Sequence, residues 1–408
     1  MRMSSTWCGK ALGIGAFLLA AVFPGVVPCF AQLNTRLLLA SGTGVPGHGG
    51  LAFGPFLSLA MNGNQDIIFL SSLRSPRADL RAVVRSTGVS FSVVAFQGLL
   101  GPFPRTTYDM FSAPSMNDAG VITFTATLAS DEADTPKVAV VRQEGGKISP
   151  LATNLGAPPG HEGAKFEEFS APLIYSDGNV LFGARWSGNG PGSGLFLWSP
   201  RGLQALPLPA GFQLGPRELL EPFFIGHDET AFLRRGASPE AATEQFFRAI
   251  AIQTFQALQP PPDPTATTEL LAARPGAVPV QMLLVYLENG SVQTALLAGD
   301  PSKPVMVKQS LSTSPVKPID KIDSLTIGPR GDMIFVAAPA DAPNDLALYC
   351  NCDGQENRLT TPEDFQPIAT AAPGKPILDL TSDAQQTIAF IAPTISGDNT
   401  GIYVTTIH

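Results

Sequence analysis

The 408 residues carry 34 acidic and 26 basic side chains, a net charge of −8. No dense basic run is present, which argues against nucleic acid or an anionic membrane surface as the main partner. The chain is 44% apolar, with 40 glycines, 38 prolines and only 15% charge. That balance gives a large core and favours many short strands joined by turns over long helices.

The chain opens like a secretory signal. Arg2 and Lys10 supply the positive start, and residues 11–23 form an apolar core too short to span a bilayer comfortably. Small residues at Cys29 and Ala31 predict cleavage after Ala31; a lipid-bearing Cys29 is the second reading, opposed by Pro28 directly before it. Without Arg2 and Lys10, 24 basic residues face 34 acidic ones, a net of −10. No later stretch is long and apolar enough for a membrane span. The expectation is a signal peptide over 1–31 and one soluble domain over 32–408, secreted or periplasmic.

The phrase FSAPSMNDAGVITF at 111–124 returns as FSAPLIYSDGNVLF at 169–182, 58 positions later. Taking its last Phe as an anchor, the pattern recurs at Phe69, Phe124, Phe182, Phe232, Phe335 and Phe390, with a worn copy at Val280. Seven periods of about 53 residues predict stacked or radial repeats, not separate domains. A large apolar residue stands thirteen positions before six of the seven anchors: Phe56, Phe111, Phe169, Leu219, Ile322 and Ile377.

Each period reads as four strands, a to d. Strand a carries that apolar residue, with Pro114, Pro172 or Pro222 three positions on in three copies. Turns such as NDAG (117–120) follow, Asn or Asp opening them and Gly supplying positive φ. Strand b is VITFTATL (121–128), in which Ile122, Phe124, Ala126 and Leu128 share a face. GLFLW (194–198), LLVY (283–286), LALY (346–349) and GIYV (401–404) are assigned to strand c; ISPLAT (148–153), QALPLPAG (204–211) and QTALLAGD (293–300) to strand d. Residues 238–247 predict a short helix opened by Ser238 and Pro239, and QPPPDP (259–264) a stiff connector.

Residues 37–40 supply a strand d with no a, b or c before it, and the chain closes on a strand c. Pairing them completes a seventh unit. The expectation is all-β: a seven-bladed β-propeller of four-stranded blades, closed by the N-terminal strand pairing with the C-terminal blade.

The N-x-x-G-x-x-x-F phrase, as in Asn117, Gly120 and Phe124, resembles the tandem-repeat family of exported bacterial proteins known for that motif. Members of that family often carry a C-terminal surface anchor, which this sequence lacks. Gln65, Asp228 and Gln386 replace the motif's Gly. The phrases SDGNVLF and SDAQQTIAF are similar to repeats of TolB-type propellers, which the resemblance implies are protein-binding platforms of the cell envelope.

No P-loop, G-x-S-x-G elbow, H-E-x-x-H or EF-hand loop is present. His48 and His161 occupy equivalent places in PGHGG and PGHEG, eight residues before Phe56 and Phe169. They read either as paired ligand-binding or acid/base groups or, the favoured reading, as a turn signature copied with the repeat. Phe53/Phe56 and Phe166/Phe169 read as a sugar platform or, more often at strand starts, as core. After signal removal only Cys350 and Cys352 remain. Three readings stand: a local disulfide, two free thiols, or half a metal site, the last disfavoured without further Cys. Neither a metal nor a cofactor is implied.

The leading functional expectation is therefore a non-enzymatic binding or scaffold module for a protein or surface polysaccharide. The alternative is a carbohydrate-active hydrolase or lyase with its carboxylates on loops. Strand order puts the variable b-to-c and d-to-a loops on one face, and a ligand is expected there.

Overall fold

Contacts divide the chain into two units, Met1–Phe30 and Ala31–His408. The computed structural model describes residues 36–208, save 77 and 89, and beyond 208 chiefly the strands named below, all in the second unit.

Among the described residues the strands group into seven antiparallel sheets, each running a-b-c-d in space. The first holds Ala52–Met61, Ile67–Arg74, Asp79–Thr87 and Ser90–Phe96. The second holds Thr107–Phe111 with Ser115–Met116, then Ile122–Ala129, Val138–Glu144 and Lys147–Thr153. The third holds Ala164–Phe169 with Leu173–Ile174, then Val180–Gly188, Gly192–Ser199 and Gly202–Leu206. The fourth comprises Leu219–Ile225, Ala231–Gly236, Gln245–Ala251 and Thr254–Ala257; the fifth Leu270–Arg274, Val280–Tyr286, Val292–Ala298 and Val305–Gln309. The sixth comprises Ile319–Ile327, Met333–Pro339, Ala347–Cys352 and Gln355–Arg358. Strands a to c of the seventh are Asp379–Ser382, Thr387–Pro393 and Thr400–Thr406, and its strand d is the N-terminal Arg36–Ala40.

All seven anchors fall in a strand b. Ile122, Phe124, Ala126 and Leu128 pack towards the first sheet, with Ile68, Leu70 and Val83. The intervening Thr123 and Thr125 are buried too, so both faces of this strand are covered. Each polar side chain is satisfied: the Thr123 hydroxyl donates to Val141 O at 2.9 Å and that of Thr125 to Ser170 O, in the third sheet, at 2.7 Å. Apolar clusters join the seventh sheet to the first, the first to the second, the second to the third and the third to the fourth. Strands a contact one another from each sheet to the next and from the seventh to the first. Four-stranded meanders packed sheet on sheet are the construction of a β-propeller.

Strand a pairs with strand b through a register shift in the first six sheets. Such bulges bend and twist the strand locally. Strand a divides into two short pieces around Pro114 and Pro172, whereas in the fourth sheet it runs through Pro222 unbroken as Leu219–Ile225. At the first sheet Leu59 replaces Pro, and strand a runs unbroken.

The N-terminal strand pairs with the last as expected, Arg36 opposite Val404 and Ala40 opposite Gly401. Ser41 extends the pairing: its N–H and hydroxyl donate to Thr400 O at 2.9 and 2.7 Å, and its Oγ accepts from Thr400 N at 2.7 Å.

Three expectations are corrected. LLVY lies in strand b of the fifth sheet, because VQMLLVY runs without a turn residue until Glu288–Gly290. In consequence QTALLAGD supplies strand c, Val292–Ala298, and strand d is Val305–Gln309. Residues 245–247, expected as the end of a helix, open strand c of the fourth sheet, where Phe247 pairs with Leu233 and Ala257. The rest of that segment and the connector 259–264 lie outside the described residues.

Candidate functional site

The two histidine loops share the same pair of turns. Val45–His48 and His48–Leu51 are consecutive turns: His48 N donates to Val45 O at 3.1 Å and Leu51 N to His48 O at 3.2 Å. In the other copy His161 N donates to Pro158 O at 3.0 Å and Ala164 N to His161 O at 3.1 Å. Gly47 and Gly160 have φ of 75° and 79°, Gly50 and Gly163 φ of 85° and 82°. A Pro at the second and a positive-φ residue at the third position of the first turn define type II geometry.

Both imidazoles are half-buried against an aromatic ring. His48 meets Phe96 edge-on at 5.1 Å between centroids, and His161 meets Trp186 at 4.6 Å. The indole N–H of Trp186 donates to Gly190 O at 2.9 Å, in the b-to-c loop, so the ring is fixed from both sides.

The second of these turns recurs at the second sheet without a histidine, whereas the first does not, Pro102 standing where Gly47 and Gly160 take positive φ. Phe103 stands in the ring position and packs against the core; Thr106 N donates to Phe103 O at 3.3 Å. Arg105 occupies the place of Gly50 and Gly163, with φ of 57°. Its guanidinium is ion-paired with Glu132 of the b-to-c loop. The second turn thus forms with Phe in place of His.

On the opposite face the a-to-b turns interlock. The Asn117 carbonyl oxygen of the side chain accepts from Val121 N at 3.0 Å, closing its own turn. Its amide donates to Tyr175 O at 3.2 Å, in the next sheet. Asn62 repeats this one sheet earlier: its Oδ1 accepts from Asp66 N at 2.9 Å, and its amide donates to Asn117 O at 3.1 Å. Asp118 Oδ1 accepts from Gly63 N at 2.6 Å, and Gln65 reaches Thr387 Oγ1, in the seventh sheet, at 2.9 Å.

Arginines of strand c reinforce this face. Arg85 pairs with Asp66 at 2.6 Å and packs against Gly120 of the next sheet, where a Cβ would meet its Nη2 at 2.6 Å. Arg142 lies in the equivalent place, 5.6 Å over the Trp198 ring, and holds Glu144 at 2.7 Å. That hydrogen bond and charge keep the Glu144 carboxyl below its usual range. Burial pushes the phenols of Tyr108 and Tyr403 up to about 12.

Phe53, Phe56, Phe166 and Phe169 are all buried in inter-sheet clusters and present no sugar platform. Cys350 and Cys352 lie in strand c of the sixth sheet, opposite Asn357 and Gln355 of strand d. Among the described residues no group of three or more His, Cys, Asp or Glu side chains is placed to hold a metal ion, and no helix is long and apolar enough to cross a membrane. The repeat spacing marked the corners and turns beforehand. The Arg105–Glu132 pair and the strand-c arginines carried no sequence signal, because they depend on which loops meet.

Residues 31–207 match the model of a family of unknown function (DUF7453). No curated protein matches. Among solved structures, the chain is similar to the β-propeller domain of the Trilobed protease from Pyrococcus furiosus, at 9% identity and a TM-score of 0.47, over 84% of this chain and 93% of that one. A puromycin hydrolase is similar at 14% identity and a TM-score of 0.48, over 84% of this chain and 50% of that one. The Hadza microbial sialidase Hz136 is similar at 14% identity and a TM-score of 0.34, over 83% and 73% of the two chains.

Proposed function

We propose that residues 32–408 are an exported seven-bladed propeller, closed by the N-terminal strand, that binds a protein or surface polysaccharide without turning it over. Cleavage after Ala31 is part of this reading; the family match and the second structural unit both begin at residue 31. The succession of contacts between strands a, from the first sheet through the seventh and back to the first, supports closure. Membership of the N-x-x-G-x-x-x-F repeat family is part of it too, since Asn62 and Asn117 put that motif to work as an inter-sheet tie.

The carrying observation is the contrast between the two faces. Among the described residues, side chains of the a-to-b turns of the first and second sheets tie neighbouring sheets together. The b-to-c connections instead differ in every described copy, spanning 75–78, 130–137 and 189–191. Variable loops on a rigid frame are where binding usually resides. His48 and His161 present half-buried rings on that face, and we assign them the ligand contact because the second turn of the loop forms equally with Phe103 in that place.

Cosedimentation of residues 32–408 with peptidoglycan sacculi and a panel of insoluble polysaccharides, beside aryl glycoside assays, tests this. The reading predicts saturable binding without turnover. H48F/H161F copies the Phe103 corner, so the fold should persist while affinity falls about tenfold, the loss of one or two hydrogen bonds. Turnover abolished by a single carboxylate substitution would establish the hydrolase or lyase instead.

A further inference from the structure

Where the N-terminal strand meets the first sheet, a cleft of about 110 Å³ remains between them. One water needs only about 10–15 Å³ of such volume, so the cleft admits a small molecule. Arg36 and Leu38 of the N-terminal strand and Val404 of its partner form one wall; Asn64, Gln65 and Ser86 of the first sheet form the other.

Two features set this place apart. Arg36 makes no ion pair among the described residues, as is also true of Arg74, Arg81 and Arg201, but of these four Arg36 alone lines the cleft. Gln65 holds φ of 65° where the second and third sheets place Gly120 and Gly178, at 75° and 83°. Left-handed backbone is unfavourable for a residue with a Cβ. Such outliers cluster at ligand sites.

We propose that this cleft binds a small monocarboxylate. The Arg36 fork takes both carboxylate oxygens, and the Ser86 hydroxyl lies on the opposite wall. A short apolar stem covers Leu38 and Val404. Phosphate, with more charge and no apolar part, leaves that side of the cleft unfilled. Because the two walls belong to the N-terminal strand and the first sheet, an occupant bridges them, and ligand binding stabilises the seam. This site lies on the a-to-b face and is independent of the ligand assigned to the histidine loops.

Thermal unfolding of residues 32–408 in sodium butyrate, sodium phosphate and sodium chloride at equal ionic strength tests it, beside calorimetric titration with butyrate. The site predicts a rise of about 2 °C in butyrate over chloride, with none in phosphate, and a saturable heat. R36Q abolishes both responses while its midpoint in chloride stays within about 1 °C of the parent, as for an exposed side chain. R36K, which keeps the charge and loses the fork, retains part of them. An equal rise in R36Q, an equal rise in phosphate, or no saturable heat in the parent overturns the proposal.

Discussion

Asn117 donates its side-chain amide to the carbonyl of Tyr175, the residue that holds Asn117's own place in the next sheet. One side chain therefore closes a turn and ties two sheets. N117A strips the partner from Val121 N and removes one of two donors to Tyr175 O, which keeps Gly178 N at 3.0 Å, with about 1–3 kcal/mol lost. N117D keeps the acceptor and loses the donor, so it should fall between. Urea unfolding of both variants checks the order.

Gly183 makes the closest inter-sheet approach among the described glycines: a Cβ there would stand 1.7 Å from Leu220 O. Backbone must move to admit a methyl, so G183A should cost about 2 kcal/mol or more. G49A, where a Cβ meets nothing within 4 Å, should change stability by less than about 1 kcal/mol. Equal midpoints for the two variants would show that the third and fourth sheets are packed differently.

Arg105 sets a left-handed backbone against an exposed ion pair with Glu132. The first costs about 1 kcal/mol or more, the second is worth about 0–1 kcal/mol. R105G should therefore leave stability unchanged or raise it by up to about 1 kcal/mol. E132Q should shift it by less than about 0.5 kcal/mol. Differential scanning calorimetry decides the sign.

Tyr108 and Tyr403 predict a loss of stability in alkali. Their folded pKa values of about 12 exceed the ordinary 10.0, so between these values the unfolded chain releases protons that the folded chain keeps. Stability contributed by the neutral phenols is complete below pH 10 and drains away as pH rises towards 12. Y108F should flatten that decline, a comparison made by urea titration at pH 9 and pH 11.

The repeat was legible because turn chemistry and period-2 burial recur together: every anchor from Phe69 to Phe390 lies in a strand b. Legibility failed where a copy lost its punctuation. VQMLLVY offers no turn residue between Val280 and Tyr286, so its C-terminal half passed for a separate strand. The histidine corners were visible as loops, but that their second turn recurs at Phe103 was hidden, because Gly101 and Pro102 precede it in the reverse of the PGH order. Arg36 carried no signal at all, since its cleft arises from strands more than 350 residues apart in sequence. Asn117 was read as a turn opener; its bond to Tyr175 follows from the stacking of sheets, which spacing alone does not describe.

The central claim, a propeller closed by its N-terminal strand, is tested most directly by hydrogen exchange with peptide-level mass spectrometry on residues 32–408. Paired as Leu39 is with Ile402, peptides covering 36–40 and 400–406 should exchange as slowly as those covering strand b of the second sheet. A chain beginning at residue 42 should release protection across 400–406 and at Phe56, whose N–H donates to Thr400 Oγ1 at 2.9 Å. Rapid exchange at 36–40 in the intact domain, or unchanged protection of 400–406 after the truncation, would contradict closure.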